Sequence, residues 1–367
     1  MMIEPIRVLQ VYPQMNNAGT ERVILNLYKN LDHSIVQFDF LCERPGELDE
    51  AITQMGGHFY YIYNESKIEY YRELLQFFTS HPEYHIIHTH THARMGIVLR
   101  AAKKTGVKCR IAHSHNARND LPKIAWAIKG ITSLPIELNA NRFFACSKNA
   151  AKWLFPHKLK DCEILYNGID LNSYLFNHDV RTKKRKELGI PDDVFVMIHV
   201  GRFATQKNHR FLIEIANEYA SKHNDWKLLL VGEGPLQDEV KGLVNNYGLT
   251  DHCCFLGSRN DVSELLSASD LFVFPSLHEG LGIVVIEAQA SAIPCIVSDA
   301  VPEEADMDLG LLNRISLRKP PLEWVAQIDA AAYKKRHRNE YEESILTSKY
   351  NIKAISSRIR KFYLSNY

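Results

Sequence analysis

Short apolar runs of strand type alternate with longer stretches of helical periodicity along this chain, and the whole alternation is made twice. In the first half Arg7 to Val11, Gln37 to Leu41, His85 to His88, Arg110 to His113 and Arg142 to Ala145 read as strands; in the second, Val194 to Val200, Lys227 to Val231, Cys253 to Leu256, Leu271 to Phe274 and Cys295 to Val297. Strand, helix, strand in this rhythm makes parallel sheets covered by helices on both faces, so one doubly wound α/β sheet is expected in each half. The length of 367 residues agrees, being too great for one ordinary core. The expected division is residues 1–175, a first Rossmann-like domain; residues 176–345, a second; and residues 346–367, a helix that packs back toward the first. Tyr166-Asn167-Gly168-Ile169-Asp170 supplies turn chemistry between the halves, and the charged run Arg181 to Lys186 reads as linker. Ligands of open α/β sheets bind beyond the carboxyl ends of strands, so two such domains facing each other enclose a cleft.

Composition removes several classes of function. The formal net charge is +1, which gives no overall case for nucleic acid, although Arg100 to Lys186 holds 18 Lys and Arg against 6 Asp and Glu. The seven cysteines include the adjacent pair Cys253-Cys254 and none has metal-site spacing, as in a protein of a reducing compartment. Ile6 to Val11 runs straight into a loop without a signal core, and no apolar stretch approaches the ~20 residues of a membrane span. A cytoplasmic protein is expected, either free or peripheral on the inner face of the plasma membrane.

The loops that follow the second set of strands carry the chemistry. After Phe274 comes Pro275-Ser276-Leu277-His278-Glu279-Gly280-Leu281-Gly282, and then an apolar helical stretch from Ile283 to Ala290 that contains Glu287. Glu279 stands at the loop mouth, and a carboxylate such as Glu287 inside an apolar helix requires hydrogen bonds, which a hydroxyl-rich ligand supplies. Gly201-Arg202 with Lys207-Asn208 ends the first strand of this half just before a helix. Two cations five apart at a helix start suit a diphosphate, with Arg202 as a fork and Lys207 as a point charge. Gly232-Glu233-Gly234-Pro235 is a tight strand-to-helix turn without the third glycine of a dinucleotide fingerprint. Backbone groups beside Gly257 in Phe255-Leu256-Gly257 are placed to reach a base edge.

Taken in order, these motifs resemble glycosyltransferase family 4, and the branch that assembles bacterial exopolysaccharide and capsule. Asn167-Gly168-Ile169-Asp170 and Pro302-Glu303 match further signatures, so the likeness is strong from Tyr166 to Glu304 and looser elsewhere. It implies a GT-B fold and transfer of a sugar, with retention, from a nucleoside diphosphate sugar, a UDP-sugar by this branch's habit, to a lipid-linked saccharide acceptor. Neither a metal nor any cofactor besides that donor is implied. By the same resemblance Arg202 and Lys207 hold the diphosphate, Glu279 the donor sugar and Glu287 the ribose, with Gly201, Gly257, Gly280 and Leu281 lining the donor site. Gly19, in Asn16-Asn17-Ala18-Gly19-Thr20-Glu21, belongs to the acceptor loop, where Ala18 replaces the first of two glycines. Ala292 similarly stands where the family has glycine at a left-handed helix end. A catalytic histidine is expected in Ala112-His113-Ser114-His115-Asn116, best matched by His115, with His113 as the alternative.

Other features stay open at this point. His88, His90 and His92 alternate after a strand with spacing that suits zinc, but a third or fourth ligand at a suitable distance is missing, so lining of the cleft or contact with the acceptor is expected. Asp306-Met307-Asp308 reads as a surface loop. Lys123, Trp126, Lys129, Lys148, Lys152 and Trp153 mix cations with aromatic rings, a pattern suited to an anionic membrane surface. Two further readings fit the architecture: a non-catalytic subunit that supports a partner transferase, and a sugar-nucleotide epimerase.

Overall fold

The computed structural model describes residues 4–16, 19–91, 94–116, 123–332 and 338–367. The chain forms two compact units: residues 1–169 with 349–367, and residues 170–348.

Unit 1 is built on seven parallel strands: β1 (Ile6–Val11), β2 (Val36–Cys42), β3 (Phe59–Tyr61), β4 (Ile86–Thr89), β5 (Cys109–Ser114), β6 (Arg142–Ala145) and β7 (Cys162–Ile164). Their order is β3-β2-β1-β4-β5-β6-β7. Val8, Phe38, Ile86 and Ile111 point to one face and Leu9, Leu41, Ile87 and Ala112 to the other, giving an apolar cluster on each side. The helix Ile352–Asn366 belongs to the first of these clusters through Ile355, Ile359 and Tyr363, and lies against the helix Gly19–Lys29. Asn351 caps it by accepting a hydrogen bond from the Lys353 amide.

Unit 2 repeats the plan with six parallel strands: β8 (Phe195–Val200), β9 (Trp226–Val231), β10 (Cys253–Gly257), β11 (Leu271–Phe274), β12 (Cys295–Ser298) and β13 (Leu312–Ile315). The order is β10-β9-β8-β11-β12-β13. In both sheets the strand order reverses once, between β1 and β4 and between β8 and β11, and at such a reversal the connecting helices leave to opposite faces and open a crevice.

Two expectations change. Three strands absent from the sequence reading, β3, β7 and β13, are edge strands of three or four residues, too short and too exposed to produce an apolar run. The run Arg181 to Lys186 is no linker either. It lies in the helix His178–Glu187, where Lys184 and Arg185 are buried because carboxylates meet them. Lys184 pairs with Glu187, Asp261 and Glu264, and Arg185 with Asp270.

Candidate active site

The reversal in unit 2 brings together the loops after β8 and β11. The first, Gly201 to Asn208, lies along the second, Pro275 to Gly282, and hydrogen bonds staple one to the other. Leu277 N donates to Gln206 O at 2.8 Å, Gln206 Nε2 to His278 O at 2.8 Å, and Asn208 Nδ2 to Pro275 O at 3.1 Å. The Ser276 hydroxyl reaches Gln206 O at 2.9 Å and Glu279 Oε1 at 2.6 Å. Glu279 is consequently buried, 6% exposed, rather than open at the loop mouth. Its charge is met by Lys207, whose Nζ lies 2.6 Å from Oε1 and 4.6 Å from the centre of the Phe274 ring. The cation assigned to the diphosphate and the carboxylate assigned to the sugar thus form one preorganised pair. Arg202 is exposed and makes no ion pair with a described residue, so its guanidinium is available to an anion.

Glycines let these turns approach so closely. A Cβ on Gly232, at φ 130°, would lie 2.3 Å from Gly201 O, and one on Gly234 would lie 2.4 Å from Phe203 O. Neither oxygen can retreat, because both belong to backbone. Gly282 (φ 83°) precedes the helix Ile283–Ala290, and Gly280 and Leu281 are buried beside it. On that helix Glu287 is half-buried and accepts a 2.8 Å hydrogen bond from the Tyr174 hydroxyl, so the chain itself supplies a polar partner. Gly257, at φ 67°, ends β10; its carbonyl accepts from Gly232 N at 2.8 Å while Ser258 N donates to Glu233 Oε1 at 3.3 Å.

Behind this loop pair lie His199 and His209, stacked edge to face with centroids 4.6 Å apart. His199 Nδ1 meets Val273 O at 2.9 Å. Burial and then the Lys207 charge depress His209 to about 4; burial, followed by His209, holds His199 well below the ordinary range. Both are neutral packing groups that support the loop carrying Lys207.

The reversal in unit 1 gathers a different set. His88 and His90 at the end of β4 and His113 and His115 at the end of β5 share one face, next to Gln10 of β1. His115 is 6% exposed, and its Nε2 lies 2.8 Å from His90 Nδ1. His92 and Ala18 fall outside the described residues. Gly19 is exposed at the start of its helix. Ala292 has φ 52°, the left-handed conformation. Asp306 faces Arg314 at 3.4 Å, and Met307 is buried.

Gln206, Asn208, Ser276 and Tyr174 went unassigned in the sequence. Ser276 and Asn208 stand inside motifs that were legible, but their work is to bind a loop distant in sequence. Asn208 carries one further sign, a left-handed φ of 55° as the cap of the helix His209–Ala220.

Comparison with known proteins agrees with this arrangement. Residues 180–307 match the family model described as glycosyl transferases group 1, and residues 17–173 the model of glycosyltransferase family 4. EpsF of Bacillus subtilis (strain 168), named as a glycosyltransferase, is 35% identical over 93% of this chain and 91% of its own. The UDP-Gal:alpha-D-GlcNAc-diphosphoundecaprenol alpha-1,3-galactosyltransferase of Escherichia coli is 29% identical over 77% of this chain and 76% of its own. Among solved structures, HepE (Alr3699) of Anabaena in complex with UDP superposes with a TM-score of 0.82 at 18% identity, covering 98% of this chain and 100% of that one. With relatives this similar over nearly its whole length and both of its halves matched, the chain belongs to glycosyltransferase family 4 and has the GT-B fold.

Proposed function

We propose that this glycosyltransferase moves a sugar from a UDP-sugar to a lipid-linked saccharide, with retention of anomeric configuration and without a metal at the diphosphate. The observation that carries the reading is the Lys207, Glu279 and Ser276 constellation, held by stapled loops where the sheet of unit 2 reverses. Negative charge grows on the departing diphosphate as the glycosidic bond breaks. Cations fixed at that point stabilise the transition state more than the ground state. Lys207 is held by Glu279 and Phe274, and Arg202 adds a guanidinium fork at the exposed side of the same loop. Glu279 orients the sugar hydroxyls and Glu287, steadied by Tyr174, receives the ribose. The names of relatives support the donor and acceptor classes: the Escherichia coli enzyme uses UDP-Gal and a diphosphoundecaprenol-linked sugar, and HepE was solved with UDP.

The test is turnover on an undecaprenyl-diphosphate sugar with each UDP-sugar, beside calorimetry of UDP binding. Glu279→Gln should lower kcat at least 100-fold with UDP affinity nearly unchanged, and Glu287→Ala should chiefly weaken UDP binding. Added magnesium or manganese should change the rate by less than twofold. Full activity in both variants, or a strict metal requirement, would overturn the site. Consumption of donor with no acceptor present, yielding UDP and an epimerised free sugar, would favour the epimerase.

The same reading places unit 1 on anionic lipid. The helix Lys123–Glu137 and the residue after it expose Ile131, Leu134 and Leu138, and Lys148 and Lys152 are exposed on the helix Lys148–Leu154. Lys129, by contrast, packs over the Trp153 ring at 4.7 Å, and burial lowers its pKa. No helix among the described residues is long and apolar enough to cross a membrane. Binding to liposomes should therefore require anionic lipid, weaken in high salt, and fall in Lys148→Glu with Lys152→Glu. Equal sedimentation with neutral liposomes would remove the electrostatic argument.

A further inference from the structure

His88, His90 and His113 gather beside His115, the histidine best matched to the catalytic position, and the donor reading gives His88 and His90 no role. In a parallel sheet, residues two apart point to the same face. β4 and β5 pair with Thr89 opposite Ala112, so two histidines from each strand end meet above one face of the sheet. All four are buried, from 0% to 6% exposed, and they line a cavity of about 20 Å³, the room of one water-sized species. One ring nitrogen from each of His88, His90 and His113 lies within 4.8 Å of the other two. The sequence shows a ligand pair without a third ligand; the neighbouring strand provides it.

We propose that His88, His90 and His113 bind a divalent transition-metal ion, zinc by the chemistry of the ligands, with His115 on the fourth side. The surroundings are arranged as imidazole ligands require. A metal-binding histidine uses one nitrogen and gives the proton on the other to a hydrogen-bond acceptor. His88 Nδ1 lies 2.7 Å from the Tyr363 hydroxyl, which leaves Nε2 facing His113 Nδ1 at 3.1 Å. His90 Nε2 lies 2.9 Å from Gln10 Oε1, which leaves Nδ1 facing His115 Nε2 at 2.8 Å. Nitrogens bound to one tetrahedral zinc are about 3.3 Å apart, so the His88 and His113 pair already has nearly the required edge. The widest separation must close by about 1.5 Å for all three nitrogens to reach one ion.

Nε2 of His113 is buried with no partner among the described residues, whether or not Nδ1 takes a metal. The donor set also selects the ion. Four imidazoles with no carboxylate among the ligands suit zinc, nickel or copper and exclude the oxygen-loving magnesium and calcium. The site lies wholly in unit 1, whereas Arg202 and Lys207 belong to unit 2. The inference is therefore independent of the diphosphate assignment.

The experiment uses the full chain without a histidine tag, expressed in zinc-supplemented medium and measured for metal by plasma mass spectrometry after gel filtration. About one zinc per chain is expected. His113→Ala should reduce it to background, and Tyr363→Phe, which keeps the ring in the core, should weaken zinc affinity ~10-fold or more. Because His113→Ala can also loosen the fold, cobalt is added to chelator-treated wild-type protein as a second measurement, and it should produce the visible absorption of a tetrahedral nitrogen site. Less than one-tenth of an equivalent of zinc, with no such absorption, would overturn the proposal. So would zinc retained at full stoichiometry by His113→Ala, since the ion would then lie elsewhere.

Discussion

Lys207 and Glu279 are 2.6 Å apart and mostly withdrawn from water, so each is stable there because of the other. Removing the cation alone strands a buried carboxylate. Lys207→Ala should therefore lower the stability of unit 2 by roughly 3 kcal/mol in urea unfolding, and Lys207→Ala with Glu279→Gln should recover most of it. A double variant as unstable as the sum of the singles would show that the pair contributes nothing. This coupling explains what the sequence could and could not disclose. Lys207, Glu279 and Glu287 are legible because a charge in a glycine loop or an apolar helix is chemically conspicuous. That the first two face each other depends on β8 and β11 being neighbours, which their separation in sequence conceals. Tyr174 has the same character: nothing local marks it, yet its hydroxyl meets Glu287.

At the scale of elements, the apolar runs of the central strands were readable because both faces are covered, whereas β3, β7 and β13 were missed at the edges, where the strands are short and only partly buried. The turns after β8 and β9 are under stricter geometric control than their composition suggests. Gly234→Ala would drive a methyl to 2.4 Å from a backbone oxygen. We expect a loss of more than about 2 kcal/mol and weaker UDP binding, because the displaced Phe203 segment leads into the Lys207 loop. The paired histidines beneath that loop make a pH prediction. In the unfolded chain His209 titrates near 6.5, but in the fold only at about 4. Between these values the unfolded state binds more protons, so stability is complete above pH 6.5 and declines as the pH falls toward 4, by on the order of 3 kcal/mol for this residue. His209→Phe should flatten that part of the urea midpoint profile. A slope unchanged by the substitution would assign the acid sensitivity to other groups.

Across the whole molecule, the two doubly wound units were evident in the repeated rhythm of strands and helices, and the crossing of the chain from one to the other falls at Ile169 and Asp170. The return was expected as well, with residues 346–367 read as a helix packing back toward the first half, and in the fold Ile355, Ile359 and Tyr363 of the helix Ile352–Asn366 lie within the core of unit 1. Deleting residues 349–367 should uncover that core at a loss of several kcal/mol, estimated at about 25 cal/mol per Å² of apolar surface. Hydrogen exchange should then find β1 and β2 deprotected and β8, β9 and β11 still protected. Uniform loss of protection in both units would mean that they unfold as one. The order of synthesis acquires a meaning from the same crossing. Residues 1–169 leave the ribosome first but lack their closing helix until the final segment has followed, while residues 170–348 are contiguous and can finish at once. The earlier-made half is thus the later to mature, and during that wait its open groove is the surface that a chaperone would have to shield.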